Sequence, residues 1–223
     1  MTYNLVFGIH IPKTGITSIA NTYTRLHPKT TETEGQYKID NNTVLSNGNI
    51  PEDVVIVCSH PVQKSPFKYS NEPLSDIRHG FTYNDIYKYS PYIFTFFRNP
   101  YQRAISLYAH VLEYGTKVYP IRRGRSITSR YKDFFEVTSF KEVINCLETK
   151  VNYIGFYENY YKNVEKLFSN VGIPYDIIYL YHSMKTKKEY KKQGKLQCSE
   201  EEFICIYKED YALYNYFWEK NEN

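Results

Sequence analysis

The segment Asn4-Leu-Val-Phe-Gly8-Ile9-His10-Ile11-Pro12-Lys13-Thr14-Gly15-Ile16-Thr17-Ser18 carries three signals in succession. The apolar run from Asn4 to Ile9, bounded by polar residues, predicts a short buried strand. From Gly15 to Leu26, Ile16, Ile19, Ala20 and Tyr23 recur at core-facing helical spacing, so a helix follows. Between the two lies a lysine-and-hydroxyl loop. Backbone N–H groups at a helix N-terminus are unpaired and carry partial positive charge; Lys13 adds a full charge and Thr14, Thr17 and Ser18 add donors. The loop therefore suits a phosphate-like anion, although the same residues also read as ordinary loop and N-cap chemistry. It is not a Walker A loop, because counting from Gly8 puts Lys13 itself where the second glycine belongs.

Outward from this segment the alternation repeats. Asp53 to Ser59 reads as a β-branched strand and Tyr92 to Phe97 as a third buried strand. Pro100 stands where a first helical turn tolerates proline, and the helix it opens should run to about Tyr114, before Gly115. Helices are predicted near Ser139 to Leu147 and Tyr160 to Asn170, and strands near Tyr153 to Tyr157 and Asp176 to Tyr181. Ser199 with Glu202 forms a capping box, which predicts one C-terminal helix from Glu200 to about Trp218. The stretches 27–51, 61–90 and 119–130 read as loops, with a weak strand around Tyr37 to Ile39 and short helices within 61–90. Strands alternating with helices predict an α/β fold of three layers, a mainly parallel sheet with helices on both faces.

Composition bounds the rest. At 223 residues, 42% hydrophobic, the chain can build one sizeable core and is short for two, so residues 1–223 are read as a single domain. A net charge of +4 from 28 basic and 24 acidic residues excludes charge-driven disorder. The mildly basic pI, near 8.6, fits an anionic ligand and falls short of a dedicated nucleic-acid binder, so no specific nucleic-acid partner is expected. With 25 Tyr, 13 Phe and one Trp, phenol rings must supply much of the packing. No stretch approaches the roughly 18 apolar residues that span a bilayer, and Met1 to Ile9 lacks a signal-peptide pattern; a cytoplasmic or otherwise soluble protein is expected. Cys58, Cys146, Cys198 and Cys205 lack CxxC spacing, which points to reduced thiols and to no metal site.

A second cluster closes the third strand: Phe97-Arg98-Asn99-Pro100-Tyr101-Gln102-Arg103-Ala104-Ile105-Ser106-Leu107-Tyr108. On a helix, Asn99, Arg103, Ser106 and His110 share one face, while Ile105, Tyr108 and Leu112 fall on another that can enter the core. Arg98 at the strand end and Ser106 two turns along could grip an anion, Arg giving the planar, charge-assisted contact. A salt-bridged amphipathic helix explains the same spacing.

Together the two clusters resemble the sulfotransferases that use 3′-phosphoadenosine 5′-phosphosulfate (PAPS), closest in motif style to the carbohydrate, heparan-sulfate-type enzymes. Pro12-Lys13-Thr14-Gly15-x-Thr17-Ser18 looks like their 5′-phosphosulfate loop, and Arg98-x-Pro100-x-x-Arg103-x-x-Ser106-x-Tyr108 looks like their 3′-phosphate motif. Gly155-Phe156-Tyr157-Glu158-Asn159 and Glu209-Asp210-Tyr211-x-Leu213-Tyr214 extend the similarity over most of the chain. The resemblance implies the P-loop NTPase-like sulfotransferase fold and transfer of a sulfuryl group from PAPS to a hydroxyl, on a carbohydrate acceptor, leaving 3′,5′-adenosine bisphosphate and requiring no metal. It implies that Lys13 stabilises charge on the leaving phosphate, that Pro12, Lys13, Thr14, Gly15, Thr17 and Ser18 bind the phosphosulfate, and that Arg98 and Ser106 bind the 3′-phosphate.

A base must take the acceptor proton. His60 follows the strand ending at Ser59 and has the right unshifted pKa, and Ser59-His60-Pro61 looks like the Thr-His-Leu-Pro region of cytosolic sulfotransferases without its leucine. His10 is a rival, and some family members use a glutamate. Two other readings stand beside this one: a nucleotide-dependent kinase on a P-loop scaffold, and a noncatalytic anion- or RNA-binding protein. The second would use Arg122, Arg123, Arg125, Arg130 and the 185–195 lysines, which also read as a solvated surface or, in an enzyme, as an acceptor groove for acidic glycans.

Overall fold

The computed structural model of the chain describes residues 5–16, 18–19, 55–59, 82–87, 90–114, 126–173 and 198–222. Four strands form one parallel sheet among them: β1 (Leu5–Ile9), β2 (Val55–Ser59), β3 (Tyr92–Phe97) and β4 (Tyr153–Phe156), in the order β2-β1-β3-β4. In register, Ile9 sits opposite Ser59 on one side and Thr95 on the other, and Phe97 opposite Phe156. The C-terminal ends of the strands therefore share one edge. The helices are α1 (Tyr83–Tyr87), α2 (Pro100–Tyr114), α3 (Ile127–Phe135), α4 (Phe140–Lys150), α5 (Tyr160–Asn170), α6 (Glu200–Ile206) and α7 (Lys208–Glu222).

Alternation along each strand divides the core in two. Leu5, Phe7 and Ile9 with Ile93, Phe97 and Phe156 pack against α3, α4 and α7 on one face, through Tyr131, Phe134, Val143, Leu147, Leu213 and Phe217. On the other face Val6, Tyr92, Phe94, Phe96 and Tyr153 meet Ile16 and Ile19 and the α5 residues Tyr160, Val164, Leu167 and Phe168. A parallel sheet needs such cover on both sides. The predicted α/β layering is therefore present in the described residues, with the aromatic content spent on ring packing such as Phe97 over Phe217 and Phe7 over Phe134.

Local signals set several ends. Ser139 with Glu142 and Ser199 with Glu202 both form complete capping boxes, and Asn99 caps α2 by accepting from Gln102 N–H. Three expectations need correction. The single C-terminal helix is two, because Tyr207 leaves the helical region (φ −111, ψ 38) and stacks its ring on Phe203. Residues 127–130, read as loop, open α3, whose Ile127, Tyr131, Phe134 and Phe135 form a buried helical stripe behind the Ser126 cap. On α2, Arg103, Leu107 and His110 face inward, while Tyr108 and Leu112 are each 38% exposed, the reverse of the expected orientation. The predicted strands near 37–39 and 176–181, Gly115, and most of the helix expected after Gly15 lie outside the described residues. Cys146, Cys198 and Cys205 are free thiols, and no helix among the described residues is long and apolar enough to cross a membrane.

Candidate active site

The chain leaves β1 toward β2 and leaves β3 in the opposite direction toward β4. Open parallel sheets bind ligands in the crevice such a reversal creates beyond the carboxyl ends of the strands. Both anion-suited segments emerge there, 10–15 from β1 and 98–99 from β3.

The first loop is held by its carbonyls. The Ile9 carbonyl accepts from the Thr95 hydroxyl at 3.2 Å, and the Ile11 carbonyl from the Thr14 hydroxyl at 2.7 Å. The Lys13 carbonyl accepts from Arg98 Nη1 at 3.2 Å, and the Gly15 carbonyl from the Tyr160 hydroxyl at 2.7 Å. In a planar peptide the next N–H points away from the carbonyl, so fixing the oxygens of Lys13 and Gly15 turns the N–H groups of Thr14 and Ile16 to the other side. Ile16 opens a helical turn closed by Ser18 N–H onto the Gly15 carbonyl, so its own N–H belongs to the unpaired N-terminal set. Lys13 (φ 71) and Gly15 (φ 89) both adopt left-handed backbone, and Lys13 is partly exposed. Strain of this kind in a non-glycine residue persists only where the surroundings enforce it.

Gly15 is required twice over, since a Cβ there would lie 2.5 Å from Tyr160 Cε2. Gly15→Ala is expected to destabilise the fold by about 2 kcal/mol, combining left-handed strain with displacement of the Tyr160 ring. Urea unfolding checks this, and an unchanged midpoint would show that the loop relaxes without cost.

At the end of β3, Arg98 bridges two segments. Besides the Lys13 carbonyl, its guanidinium lies 4.3 Å from the centroid of the Tyr157 ring, in cation–π geometry. Burial lowers its pKa, while Tyr157 and Glu158 oppose that shift. Glu158 accepts the Asn99 N–H at 2.7 Å, tying the start of α2 to the 3-10 turn 157–159 that follows β4. Three strand ends are thus joined around one loop.

Beneath this edge lies a buried polar cluster. Asp210 of α7 accepts the N–H groups of Ile127 and Thr128 at 2.7 and 2.9 Å, closing the N-terminus of α3. It also counters the burial that lowers the pKa of Arg103. Tyr131, on α3, shares a 2.8 Å hydrogen bond with Thr95, and burial raises its pKa.

Of the residues read from sequence, Pro12, Lys13, Thr14, Gly15, Ser18 and Arg98 gather at this edge, with Pro12, Thr14 and Ser18 buried. The Thr14 hydroxyl donates to Ile11, so what Thr14 can offer an anion is its N–H. Ser106 lies partly buried on α2 and shares no hydrogen bond with Arg98 among the described residues. Thr17 and His60 fall outside the described residues, although Ser59, the residue before His60, ends β2 opposite Ile9. His10, partly buried, directly follows β1. Arg130 is 2% exposed and belongs to the core, not to a solvated surface or groove; Arg122, Arg123, Arg125 and the 185–195 lysines lie outside the described residues. The sequence pattern marks no site role for Thr95, Tyr131, Glu158 or Tyr160, because each acts on a segment distant along the chain.

The chain matches no protein-family model and no curated protein. The chemistry of the edge therefore rests on its own residues. Lys13 brings a charge to the loop and the Thr14 and Ile16 N–H groups add oriented dipoles, a set suited to an anion, while Arg98 brings a second cation on the side of the Lys13 carbonyl.

Proposed function

We propose that this chain is a sulfotransferase that moves a sulfuryl group from PAPS to a hydroxyl, on a carbohydrate acceptor, within a P-loop NTPase-like sulfotransferase fold. One observation carries the reading: the two segments that resemble the cofactor motifs, far apart in sequence, are joined by the hydrogen bond from Arg98 to the Lys13 carbonyl. The residues fit a ligand with separated anionic groups, since the loop supplies N–H donors and Lys13 while β3 and α2 supply Arg98 and Ser106. When bound, PAPS supplies an activated sulfuryl group, whose bond to the bridging phosphate oxygen breaks as the acceptor oxygen bonds to sulfur. Lys13 would balance charge at the phosphate side of that loop, and Arg98 and Ser106 would hold the 3′-phosphate. His60, beyond the end of β2, is proposed to take the acceptor proton.

Two measurements test the reading. Melting with 3′,5′-adenosine bisphosphate in the absence of magnesium should raise Tm, whereas stabilisation only by magnesium and ATP would favour a kinase. Transfer of radiolabelled sulfate from PAPS to a panel of carbohydrates, phenols and proteins then identifies the acceptor; no transfer to any of them overturns the proposal. Arg98→Ala should weaken adenosine bisphosphate binding by about tenfold to hundredfold, the worth of a charge-assisted contact. Calorimetric titration reads this directly, and wild-type affinity in the variant would assign Arg98 to loop structure alone.

A further inference from the structure

The Tyr131 hydroxyl takes part in no step described above, yet it is fully buried and one hydrogen bond from the strand that borders the loop. Thr95 carries a single hydroxyl proton, and its oxygen lies within hydrogen-bond distance of both Tyr131 and the Ile9 carbonyl. A carbonyl can only accept, so the Thr95 proton goes to Ile9 and the Tyr131 proton goes to Thr95. The chain has one direction: Tyr131 to Thr95 to the last carbonyl of β1.

We propose that Tyr131 is a positioning residue for the Lys13 loop, acting through the Thr95 hydroxyl on the Ile9 carbonyl. Ile9 is the residue at which β1 ends and the loop begins, and its peptide plane sets the direction in which His10 leaves the sheet. The other loop carbonyls are held from within the loop, from the end of β3 and from α5 on the opposite face. Tyr131 is thus the hydrogen-bonding link between the loop and the core under α3, α4 and α7, in which the Ile11 side chain also packs. Burial of all three partners keeps water from substituting for a lost bond. Protonated Tyr131 is the form this direction requires, and its raised pKa agrees.

The kinetic part of the test rests on the sulfotransferase reading; the structural part does not. Tyr131→Phe removes one oxygen and keeps the ring. Amide hydrogen exchange at residues 10–16 should accelerate about tenfold in this variant, as expected for one lost buried hydrogen bond. Tyr153→Phe serves as the control, because it removes a buried hydroxyl that donates to Asn163 on the other face of the sheet, and it should leave exchange in the loop unchanged. In sulfate transfer, Tyr131→Phe should lower kcat about tenfold with acceptor KM unchanged. Thr95→Val should reproduce both effects without adding to those of Tyr131→Phe, and Thr95→Ser, which keeps the hydroxyl, should show neither. Should Tyr131→Phe fail to fold, the comparison of Thr95→Val with Thr95→Ser carries the same test. Unchanged exchange at 10–16 in folded Tyr131→Phe, or equal acceleration in Tyr153→Phe, overturns the proposal. Absence of sulfate transfer in the wild type overturns the functional reading and leaves the exchange result to decide the positioning role.

Discussion

Lys13→Ala is expected to lower sulfate transfer by about 10²- to 10³-fold, the loss that follows removal of one preorganised group facing charge in a transition state. The expectation follows from where the residue stands. Lys13 occupies left-handed backbone at the crest of the loop, and its carbonyl is turned back toward Arg98. Its side chain therefore leaves from a peptide already fixed, and little reorganisation is needed during the reaction. If the contribution is confined to the transition state, kcat and kcat/KM fall together, while adenosine bisphosphate binding changes less. Thermal melting should stay within a few degrees of wild type, because no packing is removed from the core. Turnover near the wild-type value at saturating acceptor would remove Lys13 from the chemistry.

Asp210→Ala is expected to cost about 3–5 kcal/mol, the range seen when one partner is removed from a buried charged arrangement. The variant leaves two N–H groups at the head of α3 without their acceptor, and leaves the buried Arg103 without the carboxylate that counters its desolvation. For a chain of this length the loss corresponds to a drop in Tm of roughly 10 °C. Asp210→Asn removes the charge and one of the two acceptors, because the Ile127 and Thr128 N–H groups go to different carboxylate oxygens and an amide keeps only one, so it should retain part of the cap and cost less than Asp210→Ala. A denaturant midpoint unchanged in Asp210→Ala would show that α3 is closed by other means.

The elements marked by local chemistry are legible in the sequence. Tyr92–Phe97 and Tyr160–Asn170 coincide with their predicted bounds, and Pro100, Ser139 and Ser199 mark helix starts through proline tolerance and capping. What escapes reading is decided at a distance. A charge pattern is normally taken as outward-facing, so Arg103 and Arg130 misdirect the orientation of α2 and hide α3, although Ile127, Tyr131, Phe134 and Phe135 already carry the helical stripe. The reversal depends on Asp210, brought from α7, which gives the inward face of α2 a counter-charge. The candidate site divides the same way. Its loop residues are contiguous and visible and Arg98 is read from its own cluster, whereas Thr95 and Tyr160, which hold the loop from β3 and α5, are announced by nothing near residues 9–15.

The held carbonyls also set when the loop can be completed as the chain is made. Thr95 and Arg98 stand 86 and 85 residues after the oxygens they hold, and Tyr160 stands 145 residues after its own. Asp210, which closes the helix carrying Tyr131, lies 82 and 83 residues beyond the N–H groups it accepts. Closing such long loops is slow and yields contacts only late in folding. A nascent chain that has emerged from the ribosome only through β3 contains every residue of the Lys13 loop, but not the Tyr160 that fixes its far end. The loop at the first strand therefore gains its full set of holding contacts only after α5 has been made, and the helix carrying Tyr131 is closed only after α7.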